Sequence, residues 1–448
     1  MDQGSAQGGY RGGVARRRVQ LLVGAGALAA VALVVVLVLL LRGGDGDKAA
    51  QTTSEPLAYV PAASAEVVFD VDTREPLIGL LVEQLAPRVT DGALTADQVH
   101  ALLGGRAAIA TGGGKAWLAF ATDAPAPKPS KGAAAAQDGV VVFASNAADL
   151  QAALNSADSS AAKYARPTFD KRFDGLPKGT SARVGFRPQS LLASRSPQIA
   201  NTRWAKSLRD GAAVLATEGN VIRVPFKIAA DPVGLTPADL PVATGAQPPS
   251  ARGSGPLIAG IRNPAQTLNF VRAAGLLQEL DVVDQLPGFL KPDLGNLGPN
   301  GTLTSASLDF SHITLRTEPP NPGDWSSKLG RLDTLSGIAR RTGITDIDIA
   351  HKDGVYTLTE KGNLIARIGI FGRALVLSND PNADLQAAAN APAAPTPPGA
   401  AGALTIRARP TAFFGDIPDL ISGRIGDVTG WARAELTGVT GELQLAVG

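Results

Sequence analysis

The feature that most constrains this chain is a hydrophobic run at residues 21–41, which contains no charged side chain. About 20 residues at a rise of 1.5 Å cover about 30 Å of hydrocarbon, so the run is long enough to cross a bilayer as a helix. The segment before it carries four arginines against one aspartate: Arg11, Arg16, Arg17 and Arg18. Because basic flanks stay on the cytoplasmic side, we expect residues 1–18 inside the cell and the chain beyond residue 42 outside.

A cleaved signal peptide is the alternative interpretation, because Ala27, Ala29 and Ala30 are small residues of the kind found at cleavage sites. The apolar stretch runs well past the roughly 7 to 15 residues of a signal sequence, which favours a retained anchor. The chain has no cysteine, so neither a lipidated cysteine nor a disulfide is available. We therefore predict a transmembrane helix at 19–42 and a juxtamembrane linker at 43–57.

The composition of the chain indicates folded domains outside the membrane. Hydrophobic residues make up 44% of the sequence, which argues against extensive disorder. The formal net charge of +2 includes the arginines of the tail, so the outer region is close to neutral. Such a region has no excess of basic residues for a nucleic acid to bind, and we expect no nucleic-acid partner.

An internal repeat organises the outer region. Residues 139–154 read GVVVFASNAADLQAAL and residues 373–388 read RALVLSNDPNADLQAA, so ADLQAA follows an apolar strand in both. Residues 181–192 and 403–414 each end an alternating strand at Arg-Pro, and residues 212–228 resemble residues 431–447. Because the order of the matches is preserved, we predict two homologous α+β halves, 58–230 and 256–448, joined by a Pro/Gly-rich linker at 231–255.

Local patterns predict the elements of each half. Thr95 with Gln98 forms a capping box, Asn146 is a predicted N-cap, and Asp380 before Pro381 is another. Strands linked by short turns favour antiparallel sheets with the helices packed on one face. The Ala- and Pro-rich stretch at 123–137 is predicted to be a solvated loop.

The entry to the outer region resembles a known family. Residues 59–62 read YVPA and are followed by AEVVFDVD, and strand-plus-helix segments containing ADLQAA come later. These features are similar to those of the membrane-anchored extracytoplasmic bacterial proteins called domain-of-unknown-function 3352, over most of residues 57–448. The resemblance implies an envelope location and a shared fold, and it brings no catalytic residue.

Five residues form the one cluster that suggests a metal: Asp309, His312, Asp346, Asp348 and His351. Alternate residues of a strand share a face, so two of the aspartates could bring carboxylates together as a hard metal requires. The favoured interpretation is simpler, because alternating isoleucines explain the aspartates as the solvent side of a half-buried strand. We therefore predict no metal site and no catalytic residue.

Three other patterns resemble functional motifs. Asp70 and Asp72 suggest paired carboxylates, yet alternation along a strand explains them as solvent-facing. Residues 111–115, TGGGK, lead into a strand, so they predict a hairpin turn and not a phosphate-binding loop. His100 lies in a short helix, and Asn300 begins a glycosylation sequon that is predicted to be a turn.

The sequence thus predicts a non-catalytic binding or scaffold module at the cell envelope, without a cofactor. Pockets favour interfaces between domains, so we expect a cleft between the halves that holds a lipid, a peptide or a wall fragment. The alternative is a metal-assisted hydrolase that acts on an envelope component and uses the histidine and aspartate cluster.

Overall fold

The computed structural model describes residues 55–159, 166–180, 182–218, 221–244, 247–275, 303–309, 312–319, 321–342, 347–409 and 425–447. The strands of the first half are β1 (Val67–Asp72), β2 (Arg106–Gly112), β3 (Lys115–Ala121), β4 (Ala133–Gln137), β5 (Val140–Ala144), β6 (Ala182–Phe186), β7 (Leu208–Glu218) and β8 (Val221–Ala230). Those of the second half are β9 (Leu257–Arg262), β10 (Leu303–Asp309), β11 (His312–Thr317), β12 (Ile347–Lys352), β13 (Val355–Glu360), β14 (Asn363–Phe371), β15 (Ala374–Ser378), β16 (Leu404–Ala408), β17 (Ile425–Glu435) and β18 (Gly438–Val447).

The helices of the described residues lie between these strands. They are α1 (Pro76–Val89), α2 (Ala96–His100), α3 (Ala147–Asp158), α4 (Arg166–Lys171), α5 (Pro188–Arg195), α6 (Pro197–Ala200), α7 (Arg203–Ser207), α8 (Pro264–Ala273), α9 (Pro322–Thr342) and α10 (Leu385–Ala389). Short 3-10 turns form at Pro56–Tyr59 and Pro237–Asp239. The α+β class is therefore confirmed.

All described strands belong to one antiparallel sheet. The order of neighbours is β4-β5-β3-β2-β1-β6-β7-β8-β18-β17-β16-β9-β10-β11-β15-β14-β13-β12. The first half supplies the strands on one side of the β8–β18 pair, and the second half supplies those on the other side. That pair is the strand-to-strand connection between the halves.

The two halves follow the same path through the sheet. Outward from β8 the strands are β7, β6, β1, β2, β3, β5 and β4, and outward from β18 they are β17, β16, β9, β10, β11, β15 and β14. A helix follows the first strand of each half, α1 after β1 and α8 after β9, and another follows β5 and β15. The second half adds α9, β12 and β13 at the outer edge.

The central hairpins agree in finer detail. The turns close at the pairs Glu218–Val221 and Glu435–Gly438. Each first strand carries a shift in register near its start, between Leu208 and Gly211 in β7 and between Ile425 and Val428 in β17. Bulges re-aim a strand at a defined position, so their occurrence at matching positions is a structural correspondence beyond strand order.

The β8–β18 register has local two-fold symmetry. Pro225 and Glu442, the fifth residues of their strands, lie opposite each other. The third residue of each strand faces the seventh of the other, which pairs Arg223 with Gln444 and Lys227 with Thr440. Equivalent residues on the two sides of an axis are the mark of an isologous contact, so the halves meet as the subunits of a two-fold dimer do.

Most local predictions are confirmed. The TGGGK segment is the β2–β3 turn, in which Gly113 and Gly114 have φ of 58° and 76° as a type I′ turn requires. Thr95 and Gln98 form the capping box, and Asn146 caps α3. The Asp380 N-cap was wrong: its carboxylate accepts from the Asn382 amide in a turn, and Asp384 caps α10 instead.

The prediction that the helices pack on one face was wrong, because both faces of the sheet are covered. Alternate residues of β1, such as Phe69, pack with Leu81 and Leu85 of α1. Val68 faces the other way and packs with α3 and α4. In the second half, Leu375 packs with α9 while Val376 packs with α10. Strands buried on both faces read as continuous apolar runs, as VVVFA in β5 does.

One hydrophobic core crosses from the first half into the second. It includes the β8 side chains on one face together with those of β18, β17, β9 and α8. Trp204 of α7 meets Phe270 of α8 edge-on, with ring centroids 5.8 Å apart. Leu240 and Val242, within the predicted linker 231–255, are buried in the same core. That stretch is consequently part of the packed structure.

Two predictions concern segments at the margins. Residues 123–137 were predicted to be a loop throughout, but their last part is β4, which pairs with β5. None of the helices in the described residues has the length and apolar character needed to span a membrane. The predicted transmembrane run at 21–41 lies outside those residues, as does Asn300.

Candidate binding cleft at the junction of the halves

A cleft of about 520 Å³ lies where the first half meets the second. The first half contributes α4, the start of β7 and the end of β8, and the second half contributes the β17–β18 hairpin. We call it the junction cleft and define it by its charged lining residues, Lys171, Arg172, Asp210, Lys227, Arg433 and Glu435, and by three threonines, Thr168, Thr437 and Thr440.

Cations outnumber carboxylates in the junction cleft, by four to two. Arg172 is paired with Asp210 at 2.9 Å, and Arg433 is paired with Glu435. Lys227 donates to the backbone carbonyl of Asp174. Within the described part of the chain, neither Lys171 nor Lys227 forms an ion pair with a carboxylate. The cleft therefore carries an excess of positive charge on two lysines.

Backbone geometry fixes the bottom of the cleft. Gly438 has φ of 150°, and a Cβ placed there would lie 2.0 Å from the carbonyl oxygen of Ile228. No side chain fits at that distance, so glycine is required where β18 begins beside β8. The close approach sets Thr440 opposite Lys227. Side chains directly opposite in an antiparallel pair have Cβ atoms about 4.5–5.5 Å apart, so the two side chains leave the sheet side by side on the same face.

The symmetry-related end of the β8–β18 pair is built differently. There Gln444 stands where the junction cleft has Lys227, and Arg223 stands where it has Thr440. Arg223 holds Glu442 through two hydrogen bonds of 2.7 and 2.8 Å, and it also pairs with Glu218 at 3.0 Å. Gln444 donates to Glu442 and to the carbonyl of Pro398. The charges at this end are satisfied within the protein.

Asp70 was predicted to face solvent, and this was wrong: the residue is 2% exposed. Its carboxylate accepts hydrogen bonds from three arginines. Arg106 Nη2 lies 2.6 and 2.7 Å from the two oxygens, Arg166 Nη1 lies 2.6 Å from Oδ2, and Arg183 Nε lies 3.2 Å from Oδ2. Asp72 pairs separately with its neighbour Arg74. The two aspartates therefore do not act as an acid–base pair.

The Asp70 network also fixes α4. Arg166, the first residue of that helix, bonds Asp70 and reaches Glu55 with contacts of 2.6 and 2.9 Å. Arg183 bonds both Asp70 and Asp170 of α4, the latter at 2.8 Å. Burial favours a raised pKa for Asp70, but the charges and hydrogen bonds of Arg106 and Arg166 outweigh it and hold that pKa below its usual 3.8.

The second half shows that the sheet does not itself require this network. Gly260 is the fourth residue of β9, as Asp70 is the fourth residue of β1. Thr405 of β16 lies opposite Gly260, as Arg183 of β6 lies opposite Asp70. The Thr405 hydroxyl donates to the carbonyl of Pro249 at 2.8 Å. In the second half, Gly260 and Thr405 thus take the positions that Asp70 and Arg183 take in the first half.

The two histidines of the candidate metal cluster lie far apart. His312 begins β11 and His351 lies in β12, with β15, β14 and β13 between them. Four strand spacings of about 4.8 Å place them about 19 Å apart along the sheet, too far to share a metal with bonds of about 2.1 Å. Among the described residues, no group of three His, Cys, Asp or Glu side chains could hold a metal ion.

Asp348 is the remaining candidate of that cluster whose burial the structure describes. Asp348 is exposed while Ile349 is buried, so the solvent-side prediction is confirmed for Asp348. Asp309 is the strand partner of His312 at the β10–β11 turn, and Asp346 lies outside the described residues. His100 lies on α2, where its Nδ1 is 2.9 Å from Glu83.

His351 contacts a tyrosine and a helix carboxylate, Tyr356 and Asp333, which were not part of the candidate cluster. Its ring stacks on Tyr356, with centroids 4.0 Å apart, and both residues contact Asp333 of α9. Burial, the hydrogen bond to Asp333 and the charge of that carboxylate raise the pKa of Tyr356 to about 12. The phenol therefore stays protonated and serves to join α9 to the outer hairpin.

Comparisons with known proteins add little. No protein-family model matches the chain, and no curated protein matches it. Among solved structures, crystal forms III and IV of TP0453 match with 10% and 11% identity, covering 41% and 40% of this chain and 83% and 81% of that chain. The TM-score is 0.27 in both cases, too low to support an argument about fold or function.

A test of the Asp70 network is its substitution by the neutral isostere. We expect Asp70→Asn to lower the free energy of unfolding by about 3–5 kcal/mol at neutral pH, because three arginines lose a buried counter-charge. The folded-state pKa lies below 3.8, so the carboxylate's contribution is present above that pH and is lost as the pH falls below it. Denaturant unfolding at several pH values measures both effects.

Asp353→Asn is the matched control, because Asp353 is exposed in the β12–β13 turn and asparagine suits its φ of 52°. It should leave the free energy of unfolding unchanged. Identical unfolding curves for Asp70→Asn and the wild type at neutral pH would contradict the stabilising role of the network.

Proposed function

We propose that this chain is a membrane-anchored extracytoplasmic protein whose folded part is a non-catalytic binding or scaffold module, with its ligand in the junction cleft. One observation carries the proposal: the concave site of about 520 Å³ at the junction of the two halves. Ligand sites usually have volumes of about 300–1,000 Å³ and favour such interfaces. Lys171, which has no carboxylate partner among the described residues, lines it together with threonines, a set suited to holding a polar ligand in one orientation.

The proposed location rests on the sequence. The apolar run at 21–41 is the candidate anchor, with residues 1–18 in the cytoplasm and the chain from 43 onward outside the membrane. The resemblance to the anchored extracytoplasmic family points the same way. In this arrangement the ion pair of Glu55 with Arg166 ties the chain to the folded part soon after the anchor.

We further propose that the halves are homologous, one descended from a copy of the other. The matching strand order, the bulges at matching positions in β7 and β17, and the two-fold register of β8 with β18 support this origin. The repeated ADLQAA also supports it, although α3 begins about one turn earlier relative to this motif than α10 does. A duplicated module that later acquired one asymmetric cleft fits a binding role.

The binding function is tested by filling the cleft. Thr440 is exposed at the cleft, and we expect Thr440→Trp to exclude the ligand because the indole occupies its volume. The full chain is purified in detergent from its native envelope, and small molecules that accompany it are extracted and identified by mass spectrometry. We expect at least one compound enriched with the wild type and absent from Thr440→Trp.

Thr334→Trp is the control for this comparison, since Thr334 is exposed on α9 away from the cleft and undergoes the same exchange. Equal thermal unfolding midpoints for the two variants would show that both are folded. If no compound is enriched, or if both variants retain it equally, the junction cleft is not the binding site.

The proposed topology is tested by thiol labelling, since the chain has no cysteine of its own. Ser5→Cys and Thr334→Cys are made separately in the full chain and treated with a membrane-impermeant reagent in intact cells. We expect labelling of Thr334→Cys at once and of Ser5→Cys only after lysis. Labelling of Ser5→Cys in intact cells would refute the orientation.

A further inference from the structure

We propose that the junction cleft binds an organic phosphate, with the phosphate group between Lys171 and Lys227. This inference rests on the proposed binding function and names the chemistry of its ligand. The first observation is charge: two lysines without a carboxylate partner among the described residues line one concave site. Two ammonium groups in one site repel each other, and a phosphate monoester with nearly two negative charges reverses that cost.

The carboxylates facing the same space are already engaged. Asp210 is held by Arg172, and Glu435 is held by Arg433. The acceptor that Lys227 contacts is a neutral backbone carbonyl, that of Asp174. An ammonium group has three donors, so Lys227 retains donors for a ligand oxygen. The two lysines are accordingly the cations through which this cleft attracts an anion.

Hydroxyl groups complete the recognition of a phosphate. Thr440 lies directly opposite Lys227, and Thr168 lies on α4 one turn before Lys171. A phosphate offers several strong acceptor oxygens, so it accepts from lysine and threonine donors together. The cleft volume of about 520 Å³ exceeds the space that a bare phosphate needs, which leaves room for the organic part of the ligand.

The two-fold register provides an internal control. At the other end of the β8–β18 pair, Gln444 replaces Lys227, and the cation there, Arg223, is neutralised by Glu218 and Glu442. At that end the two strands therefore pair without a lysine that lacks a carboxylate partner. Residues 390–402, which lie between α10 and β16, contain no helix and no lysine or arginine, so the second half has no counterpart of α4 and its Lys171.

The Asp70 network explains how Lys171 is held at the cleft. Arg166 and Asp170 of α4 are bonded into that network, and Phe169 is fully buried beneath the helix. A six-residue helix has little stability of its own, so these tertiary contacts determine its position. The Asp70 network, which the sheet itself does not require, thus orients α4 and its residue Lys171.

The test measures binding of glycerol 3-phosphate to the full chain in phosphatidylcholine nanodiscs by isothermal titration calorimetry. We expect binding of the phosphate ester and none of glycerol. The double variant Lys171→Gln with Lys227→Gln should raise Kd about tenfold or more, since charge-assisted hydrogen bonds are about twice as strong as neutral ones. Lys227→Arg in the otherwise native chain should keep the affinity within about threefold, because it preserves the charge.

The matched control removes the same charge elsewhere. Lys206→Gln with Lys352→Gln changes two exposed lysines, on α7 and β12, that do not line the cleft. It should change Kd by less than about twofold, as expected for screened surface charges. Equal losses of affinity in the two double variants would overturn the assignment, because general electrostatics would then explain the binding.

Nanodiscs that contain phosphatidic acid distinguish the source of the phosphate. If a lipid headgroup occupies the cleft, the apparent Kd for glycerol 3-phosphate rises in those nanodiscs; if the ligand is soluble, it is unchanged. Absence of binding to either form of phosphate overturns the inference. The binding function fails separately, when Thr440→Trp and Thr334→Trp retain the same compounds, and it survives if the compound lost from Thr440→Trp contains no phosphate.

Discussion

The pairing of β8 with β18 is the interaction on which the rest of the structure depends. It joins two sheets of equivalent order into one, and its register places Pro225 opposite Glu442 on a local two-fold axis. On one face a continuous core covers the junction, including the contact of Trp204 with Phe270. Among the described residues, the opposite face has no comparable cover at the end where Lys227 lies opposite Thr440, and the junction cleft lies there.

The two halves differ in two connected features. One is the charge network of Asp70, and the other is the helix α4 that carries Lys171. Asp70 and its three arginines occupy a position that Gly260 and Thr405 fill in the other half, so the fold tolerates both solutions. Only the charged solution positions α4, and α4 carries Lys171 into the cleft. A buried charge network costs desolvation free energy. In this protein the network that carries that cost also orients α4.

The sequence predicted what local chemistry and repetition determine. The Gly113-Gly114 turn and the Thr95 capping box follow from backbone preferences, and the repeat led to the expectation of a cleft between the halves. The burial of Asp70 was missed because strand alternation was applied to a segment whose neighbours, Val68 among them, are apolar on both faces. The two lysines of the cleft carry no common sequence pattern, because Lys171 lies on α4 and Lys227 on β8, and only the tertiary packing of the first half brings both to the cleft.

The most direct test of this account is the register between the halves, measured by disulfide formation in a chain without native cysteine. Lys227→Cys with Thr440→Cys places two Cβ atoms directly opposite each other, about 4.5–5.5 Å apart, and should oxidise readily. Pro225→Cys with Thr440→Cys is offset by two residues on the same face, about 7–8 Å, and should remain reduced. Efficient crosslinking of the offset pair, or of neither pair, would contradict the two-fold junction.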